Sequence, residues 1–553
     1  MRRVHSGFEA GQRGLPRRKR AIGVIALIGA VCCVLSLSAC GSSSDSGSTT
    51  EATKSSEGST NVGETSSAQG GTIVWGKPAE VSGIEPTTNT QYSSWQLLEN
   101  VYEGLVGINE ELKPVPRLAT SWKQLSPTRY VFNIRKGVKF SNGREMTVAD
   151  VVGSLKRLAD PKTEALWATF VGEMKHISAV GSWKVEVTLG KPNVGFIPAL
   201  GGVSAAILPM KELESGSFDP EKELLGTGPF MVDSHSQGEN WELSRNPYYW
   251  REGLPKADKL IVRIIPEDAA RVAGLRDGTL DVANFDNPDA PELLSGQSGI
   301  TSGQVATTDF YLLEVNSKTS IFKDPKAREA LQMLIDRSEI TEVGMAGTGE
   351  PSAAVPPSFG ICDASTLPNA EPDPERAKQL IQEAGLEGET VTLLASNAYS
   401  PLVQIAQVLQ PALEEAGLKV KIEQPNQGEW IERVYSGKAE FDLDIGFDGS
   451  YADPTMGLTW WQADQSWHSA WDFPDPELDK LIETSKTGAT ASERETAIKA
   501  ACKQIGEDSF LIPLVTKPMF AAFRDDKVTG EIPQQIAFGN PLPNLAEFSV
   551  NAE

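Results

Sequence analysis

The sequence predicts an α/β fold built from two compact bodies, and three observations support this. A chain of 553 residues exceeds what one hydrophobic core usually organises. From residue 71 onward, short β-type runs alternate with helical ones. The run 508–523, "DSFLIPLVTKPMFAAF", is strand-like and would have to rejoin an earlier sheet. A chain that leaves one body and returns to it crosses twice, and two crossings make a hinge.

End signals and periodicity predict the individual elements. Thr147 with Asp150 three residues on resembles a capping box and begins a helix in "TVADVVGSLKRLA". "DPKAREALQMLID" and "DPERAKQLIQEAG" each place Asp before Pro at a first helical turn, and Gly385 suits the left-handed cap of the second helix. Residues 410–447 predict helix, strand, helix, strand. The predicted strands include "TIVWG", "RYVFNIRK", "WKVEVTLG", "KLIVRIIP", "FYLLEVN", "TVTLLAS", "LKVKIEQ" and "FDLDIGF".

Residues 1–39 have the order of an export signal: a basic stretch, an apolar run and small residues before Cys40. The apolar run, 21–37, is 17 residues long, just short of a comfortable membrane span, which favours cleavage. "LSACG" resembles the bacterial lipobox, which implies acylation of Cys40 and attachment to the outer face of the cell membrane. A soluble secreted protein is the alternative, and both Sec and Tat export fit the basic run.

Composition bounds the rest of the mature chain. Residues 41–70 include 20 Ser, Thr or Gly, which predicts a disordered tether from Cys40 to residue 70. The net charge of −23 becomes −29 without residues 1–39, which opposes nucleic acid as a partner. Cys362 and Cys502 remain as candidates for a disulfide in an oxidising compartment, although their separation of 140 residues leaves their distance in space open.

Several collinear motifs carry a family resemblance. Residues 116–158, "PRLATSWKQLSPTRYVFNIRKGVKFSNGREMTVADVVGSLKRL", look like the solute-binding proteins of peptide-type ABC importers, the oligopeptide- and dipeptide-binding lipoproteins of family 5. "YEGLVG", "GTGPF", "RNPYYWREGLPKADKLIVRIIPEDAARVAGLRDGTLDVA", "SGKAEFDLDIGF" and "IPLV" continue the likeness, which covers essentially residues 72–550.

The resemblance implies a two-lobed fold of the periplasmic-binding-protein type, class II, with a two-strand hinge and a solute enclosed between the lobes. Residues 71–308 would form the first lobe, with an inserted subdomain at about 95–222. Residues 309–508 would form the second lobe, and 509–553 would return to the first. The resemblance further implies a membrane permease and its ATPase as partners. We also expect a monomer without cofactor or metal.

The stretch 447–454, "FDGSYADP", departs from the family pattern. In peptide-binding members, the matching segment resembles Trp-x-x-Asp-x-x-Asp/Glu-Pro. Its first acidic residue holds the α-ammonium of the peptide. Phe447 stands at the Trp and Ser450 at that acid, and a hydroxyl offers no charge to a buried ammonium. Asp448 lies on the same face of an extended segment and is the candidate replacement, with a solvated rim position as the alternative. Asp453, before a proline, is expected to form a turn.

Aromatic residues complete the candidate ligand-binding set, and core packing is the alternative for each of them. Trp460 and Trp461 are adjacent, so at most one of the two lines a pocket easily. The aromatic candidates are Tyr92, Trp95, Trp430, Tyr451, Trp460 and Trp461.

We therefore predict a binding protein and not an enzyme. The sequence has no G-x-S-x-G, H-E-x-x-H or Walker motif, and His176, His235 and His468 stand isolated. Few histidines also weigh against an importer of chelated metals. Peptides are the leading solute. An uncharged or sugar-like solute is the alternative because Ser450 replaces the acid, and an adhesive surface lipoprotein is a third possibility.

Overall fold

The structure is a computed structural model that describes residues 70–89, 91–318, 320–368, 370–435, 439–462 and 475–552. These residues all belong to one compact unit, Thr65–Glu553. The predicted export signal, Cys40 and the predicted tether up to residue 69 lie outside the described residues, as does His468. Among the helices described, none combines the length and the apolar character that crossing a membrane requires.

The strands of the described chain are numbered in chain order. They are β1 (Thr72–Lys77), β2 (Val106–Ile108), β3 (Pro114–Pro116), β4 (Ala119–Ser126), β5 (Arg129–Ile134), β6 (Met174–Ala179), β7 (Lys184–Leu189), β8 (Phe230–Ser236), β9 (Asn240–Arg245), β10 (Lys259–Ile264), β11 (Val282–Phe285), β12 (Ile300–Val305), β13 (Asp309–Val315), β14 (Thr390–Leu394), β15 (Lys419–Glu423), β16 (Leu443–Gly449), β17 (Leu511–Thr516), β18 (Met519–Arg524), β19 (Val528–Thr529) and β20 (Ser549–Val550).

The α-helices of the same residues are numbered likewise. They are α1 (Tyr92–Leu98), α2 (Val148–Ala159), α3 (Ala168–Val171), α4 (Phe196–Ala199), α5 (Met210–Ser215), α6 (Asp268–Asp277), α7 (Ala290–Leu294), α8 (Pro325–Leu334), α9 (Arg337–Glu339), α10 (Pro374–Glu383), α11 (Ser400–Glu415), α12 (Gln427–Tyr435), α13 (Pro454–Leu458), α14 (Pro476–Thr487) and α15 (Ala491–Asp508). A 3₁₀ turn, Thr459–Trp461, follows α13.

Two large mixed sheets organise the chain. The first has the order β12-β18-β11-β1-β10-β9-β8, and the second has the order β15-β14-β16-β13-β17. A separate antiparallel sheet, β4-β5-β7-β6, is formed within residues 119–189 and is inserted between β1 and β8 of the first sheet. Each large sheet carries its own apolar core, including Trp75 and Leu260 on the first and Leu393 and Ile445 on the second.

The chain passes between the two large sheets twice. It leaves the first sheet after β12 and enters the second at β13, and it returns between β17 and β18. The two crossing segments bond to each other, because Thr307 Oγ1 donates to the carbonyl of Lys517 at 2.6 Å and Lys517 N donates to the carbonyl of Asp309 at 2.8 Å. The run 508–523 is therefore two strands, one in each sheet, and not one strand that rejoins an earlier sheet.

The local predictions agree with the elements. All eight predicted strand segments coincide with strands β1, β5, β7, β10, β13, β14, β15 and β16. The Asp150 carboxylate accepts from Thr147 N at 2.8 Å at the start of α2. The carboxylates of Asp324 and Asp373 likewise cap α8 and α10, and Gly385 after α10 has a φ of 71°. These helix ends follow from short-range hydrogen bonding that the sequence already encodes.

Cys362 and Cys502 form a disulfide with a Cα–Cα distance of 6.5 Å. Cys502 lies on α15 and is buried in an apolar cluster with Ile498 and Leu511. The bridge therefore ties α15, which precedes β17, to the loop between α9 and α10. It closes a loop that contains β14, β15 and β16 of the second sheet.

Candidate ligand-binding site

A cavity of about 370 Å³ lies between the two large sheets, beside the two crossing segments. The first sheet contributes Ala79 and Asp286, which follow β1 and β11, and Met519 at the start of β18. The second sheet contributes residues of β13, β16 and β17. Lys517 in the return crossing also lies on the wall, so the cavity borders the hinge region.

One wall of the cavity is a packed aromatic cluster that spans both sides. Trp167 and Phe170, from the region inserted in the first sheet, contact Tyr451, which follows β16, at ring-centroid distances of 5.0 and 5.1 Å. Phe170 also contacts Trp460 at 5.7 Å. All four rings line the cavity, and edge-to-face packing of this kind adds to the burial of apolar area.

A second group of lining residues is aromatic as well. Trp430 and Tyr435 project from α12, Tyr399 precedes α11, and Phe447 lies in β16. Phe447 packs at 5.2 Å from Tyr399 and at 6.3 Å from Trp430, measured between ring centroids. Two aromatic clusters therefore line this cavity, and such a lining suits a solute with apolar or planar groups.

Carboxylates dominate the charge of the cavity. Among the described lining residues, Asp286, Glu314 and Asp448 face a single Lys or Arg, Lys517. Lys517 is buried and its Nζ lies over the rings of Phe447 and Tyr92, at 5.1 and 5.7 Å from the centroids. The excess of negative charge favours a solute that carries an ammonium or guanidinium group.

The carboxyl of Asp448 has no donor of its own. Within the part of the chain that the structure describes, no side chain or backbone N–H bonds to it, and it lies half-buried on the cavity wall. Burial, with the nearby charges of Glu314 and Asp309, raises its pKa well above the usual value. A cationic group placed beside Asp448 would favour the ionised carboxylate and so oppose that shift.

Asp309 stands behind this wall at the start of β13. Its Oδ1 accepts from Tyr92 Oη at 3.0 Å, and its Oδ2 is buried without a partner among the described residues. Burial raises its pKa to about 6, against the opposing effects of Lys517 and of the Tyr92 hydrogen bond. Gly449 makes room for this contact, because a Cβ there would lie 2.5 Å from Asp309 Oδ1 and 2.8 Å from Tyr92 Oη.

The family model of the bacterial extracellular solute-binding proteins, family 5 Middle, matches residues 113–469. The chain belongs to this family. The glutathione-binding protein GsiB of Escherichia coli (strain K12) is 26% identical over 453 residues, which are 79% of this chain and 88% of that protein.

Two solved structures share the fold of this family 5 protein. DppA from Helicobacter pylori, an ABC transporter-associated periplasmic binding protein in complex with the peptide STSA, aligns with a TM-score of 0.78 at 24% identity and covers 88% of this chain and 99% of its own. The binding protein AgaA of A. tumefaciens R10, in complex with agropinic acid, aligns with a TM-score of 0.78 at 23% identity over 87% and 99% of the two chains. The fold is therefore the two-lobed α/β type of the periplasmic peptide-binding proteins.

Five of the residues singled out in the sequence come together on the cavity wall of the family 5 protein. A different element or loop positions each of them. In chain order these are the start of α1, helix α12, the end of strand β16, the turn just after β16 and the 3₁₀ turn after α13. These five residues are Tyr92, Trp430, Asp448, Tyr451 and Trp460. Whether they contact a solute remains a prediction.

Three other candidates, Trp95, Trp461 and Ser450, are buried away from the described cavity wall. Trp95 packs edge-on to Trp167 at 5.3 Å and donates from Nε1 to the carbonyl of Asn89. Trp461 stacks on Phe310 at 6.0 Å, so of the two adjacent tryptophans Trp460 is the one at the cavity. Both residues serve the cores of the two sheets.

Ser450 is fully buried just beyond the end of β16. Its N–H donates to the carbonyl of Thr308 at 2.9 Å, and its Oγ has no partner among the described residues. A Cβ on Gly457 would lie 2.2 Å from this Oγ, so Ser450 faces α13. Asp453 caps α13 by accepting from Thr455 N at 2.9 Å, which confirms the expected turn role.

Sequence reasoning missed Glu314 of β13, Asp444 of β16 and Lys517 of the return crossing. Glu314 stands in "FYLLEVN" and Asp444 in "FDLDIGF", two runs that predict buried strands. An acid in the middle of such a run is the signal, because carboxylates are rarely buried without a partner or a function. The described residues contain no cluster of three or more His, Cys, Asp or Glu arranged to hold a metal ion.

Proposed function

We propose that this solute-binding protein captures peptides between its two lobes, with the α-ammonium of the peptide at Asp448. The observation that carries the proposal is the carboxyl of Asp448 on the cavity wall, to which no donor of the described chain bonds. A buried ammonium and a carboxylate form a charge-assisted hydrogen bond, about twice as strong as a neutral one. The aromatic walls would hold the peptide backbone and apolar side chains.

The compared proteins support a peptide-like solute. GsiB is named for binding glutathione, and the DppA structure contains the peptide STSA. AgaA holds agropinic acid, so the fold itself accepts other solutes. An uncharged or sugar-like solute is the alternative because Ser450 replaces the acid of the family pattern. Asp448 and Glu314, however, supply carboxyl groups to the cavity from other positions. We therefore favour the peptide.

We further propose the transport role implied by the family. After cleavage before Cys40, the lipid-anchored protein would stand on the outer face of the cell membrane and deliver its solute to an ABC permease with its ATPase. The lobes would comprise residues 71–308 and 309–516, because β17 belongs to the second sheet and the boundary expected at 508 lies before it. Residues 519–553 would return to the first lobe, and the lobes would close about the two crossing segments. Radiolabelled palmitate in the wild type and not in a Cys40→Ala variant would test the anchor.

A thermal-shift screen tests the solute class, because a ligand that binds only the folded protein raises the unfolding temperature. The panel comprises free-amine peptides of two to six residues, the same peptides N-acetylated, neutral sugars and chelated nickel. We expect stabilisation by free-amine peptides. Stabilisation by sugars alone would favour the uncharged solute, and stabilisation by nothing in the panel would favour the adhesive lipoprotein.

A further inference from the structure

Two acidic residues lie directly opposite each other on neighbouring strands of the second sheet. Glu314 of β13 pairs with Asp444 of β16 in an antiparallel register. Both are buried, at 2% and 0% exposure. Side chains directly opposite on an antiparallel pair share one face of the sheet, and like charges there are destabilising.

The surroundings of this pair supply hydrogen bonds, and the nearest cation acts on it only from a distance. Trp430 Nε1 lies 2.9 and 3.0 Å from the two carboxylate oxygens of Asp444, and Tyr435 Oη donates to Glu314 Oε1 at 2.7 Å. Over the described ranges, no Lys or Arg forms an ion pair with either acid. Arg433 on α12 pairs with Glu423 at 2.8 Å, and its charge partly opposes the raised pKa of Asp444. Glu314 Oε2 is buried and lacks any partner among these residues.

Glu314 is the member of the pair that lines the ligand cavity. The groups around it are Tyr435 and Trp430 from α12, Asp444 and Asp448 from β16, and Leu511 from β17. Three of these five are aromatic or apolar, and two are acids. An unpartnered carboxylate oxygen beside a cavity lined with aromatic rings can bind a cation. Burying an uncompensated charge is costly, and aromatic faces attract cations.

We propose that the solute carries a second cationic group, the ammonium or guanidinium of a basic side chain, which binds Glu314 at the second-sheet end of the cavity. This inference rests on the proposed function, since it adds a side-chain preference to a peptide whose α-ammonium lies at Asp448. It specifies peptides with a lysine-like or arginine-like residue, and it assigns Glu314 as the residue that selects them.

Proton release should accompany this recognition. Burial raises the pKa of Glu314 to about 7, and burial with the neighbouring Glu314 raises that of Asp444 well above its usual value. Near neutral pH the free pair therefore holds a proton that an entering cation displaces. The affinity for the basic peptide should then rise as pH increases from 6 to 8. A norleucine peptide of the same length has no cation to displace this proton, so the Glu314–Asp444 pair should add no such rise to its affinity.

Isothermal titration calorimetry with a tripeptide series tests the proposal. Each position of trialanine is replaced in turn by Lys, by norleucine and by Glu. At one position we expect the Lys peptide to bind about tenfold or more tightly than its norleucine twin. In Glu314→Gln, which keeps the acceptor for Tyr435, the ratio of the two affinities should fall to about one. Glu429→Gln, on the exposed face of α12, is the matched control and should keep the wild-type ratio.

The outcomes separate this inference from the proposed function. Equal binding of Lys and norleucine peptides at every position overturns the second cationic group and leaves peptide capture intact. Binding of no peptide overturns both. If Glu314→Gln does not fold, titration of the wild type in buffers of different ionisation enthalpy decides the matter. The Lys peptide must then release more protons than the norleucine peptide at pH 7, and equal release contradicts the proposal.

Discussion

Asp448→Asn should weaken the binding of free-amine peptides by about 100-fold. The substitution keeps the size of the side chain and removes the charge, and the described chain places no hydrogen-bond donor or cation at that carboxyl. Truncating one partner of a buried charge pair costs about 2–5 kcal/mol. We take about 3 kcal/mol because Glu314 and Asp309 remain nearby, and about 1.4 kcal/mol corresponds to a tenfold change in Kd.

The assay is a double-mutant cycle by isothermal titration calorimetry. The wild type and Asp448→Asn are each titrated with one peptide in its free-amine and N-acetylated forms. We expect acetylation to weaken binding to the wild type by about the same 100-fold, and to have little further effect in the variant, because each change removes the same contact. Equal losses for both peptides on mutation, or no loss, would refute the ammonium anchor.

Three further predictions concern stability. Replacing Cys362 and Cys502 by Ser should lower the free energy of unfolding. The chain-entropy model for a loop of 140 residues gives a loss of up to about 5 kcal/mol. Urea titration measures this loss, and an unchanged midpoint would contradict it. Gly449→Ala should lower the unfolding temperature, because a Cβ would lie 2.5 Å from Asp309 Oδ1. Burial raises the pKa of Glu99 to about 7, so its stabilisation is present below about pH 4.5 and lost as pH rises through 7. Glu99→Gln should therefore gain stability relative to the wild type between pH 5 and 8, and a constant difference would exclude this.

The sequence predicts those parts of the fold that depend on neighbours along the chain. Asp324 and Asp373 cap helices through hydrogen bonds to residues two or three positions away. The division of the run 508–523 between two sheets could not be predicted in this way. The partner of β17 is β13, almost two hundred residues earlier, and local periodicity carries no information about such pairing. Lys517 and the proline after it were the available sign of a break.

The candidate site was predictable in its aromatic half and less so in its charged half. The adjacency of Trp460 and Trp461 already meant that they would face different ways. The position of the Ser450 side chain could not be predicted from the sequence. The strand ends at Gly449 and the chain turns at Tyr451, whose φ is 53°. The alternation expected of an extended segment therefore does not continue from Asp448 to Ser450, and only the first reaches the cavity.

The electron density of the cleft in crystals grown with the tightest-binding free-amine peptide tests the central claim most directly. The account predicts one intact peptide between the aromatic walls, with its α-ammonium within hydrogen-bond distance of Asp448. A peptide bound elsewhere on the surface, with this cleft filled by the protein's own side chains, would contradict it.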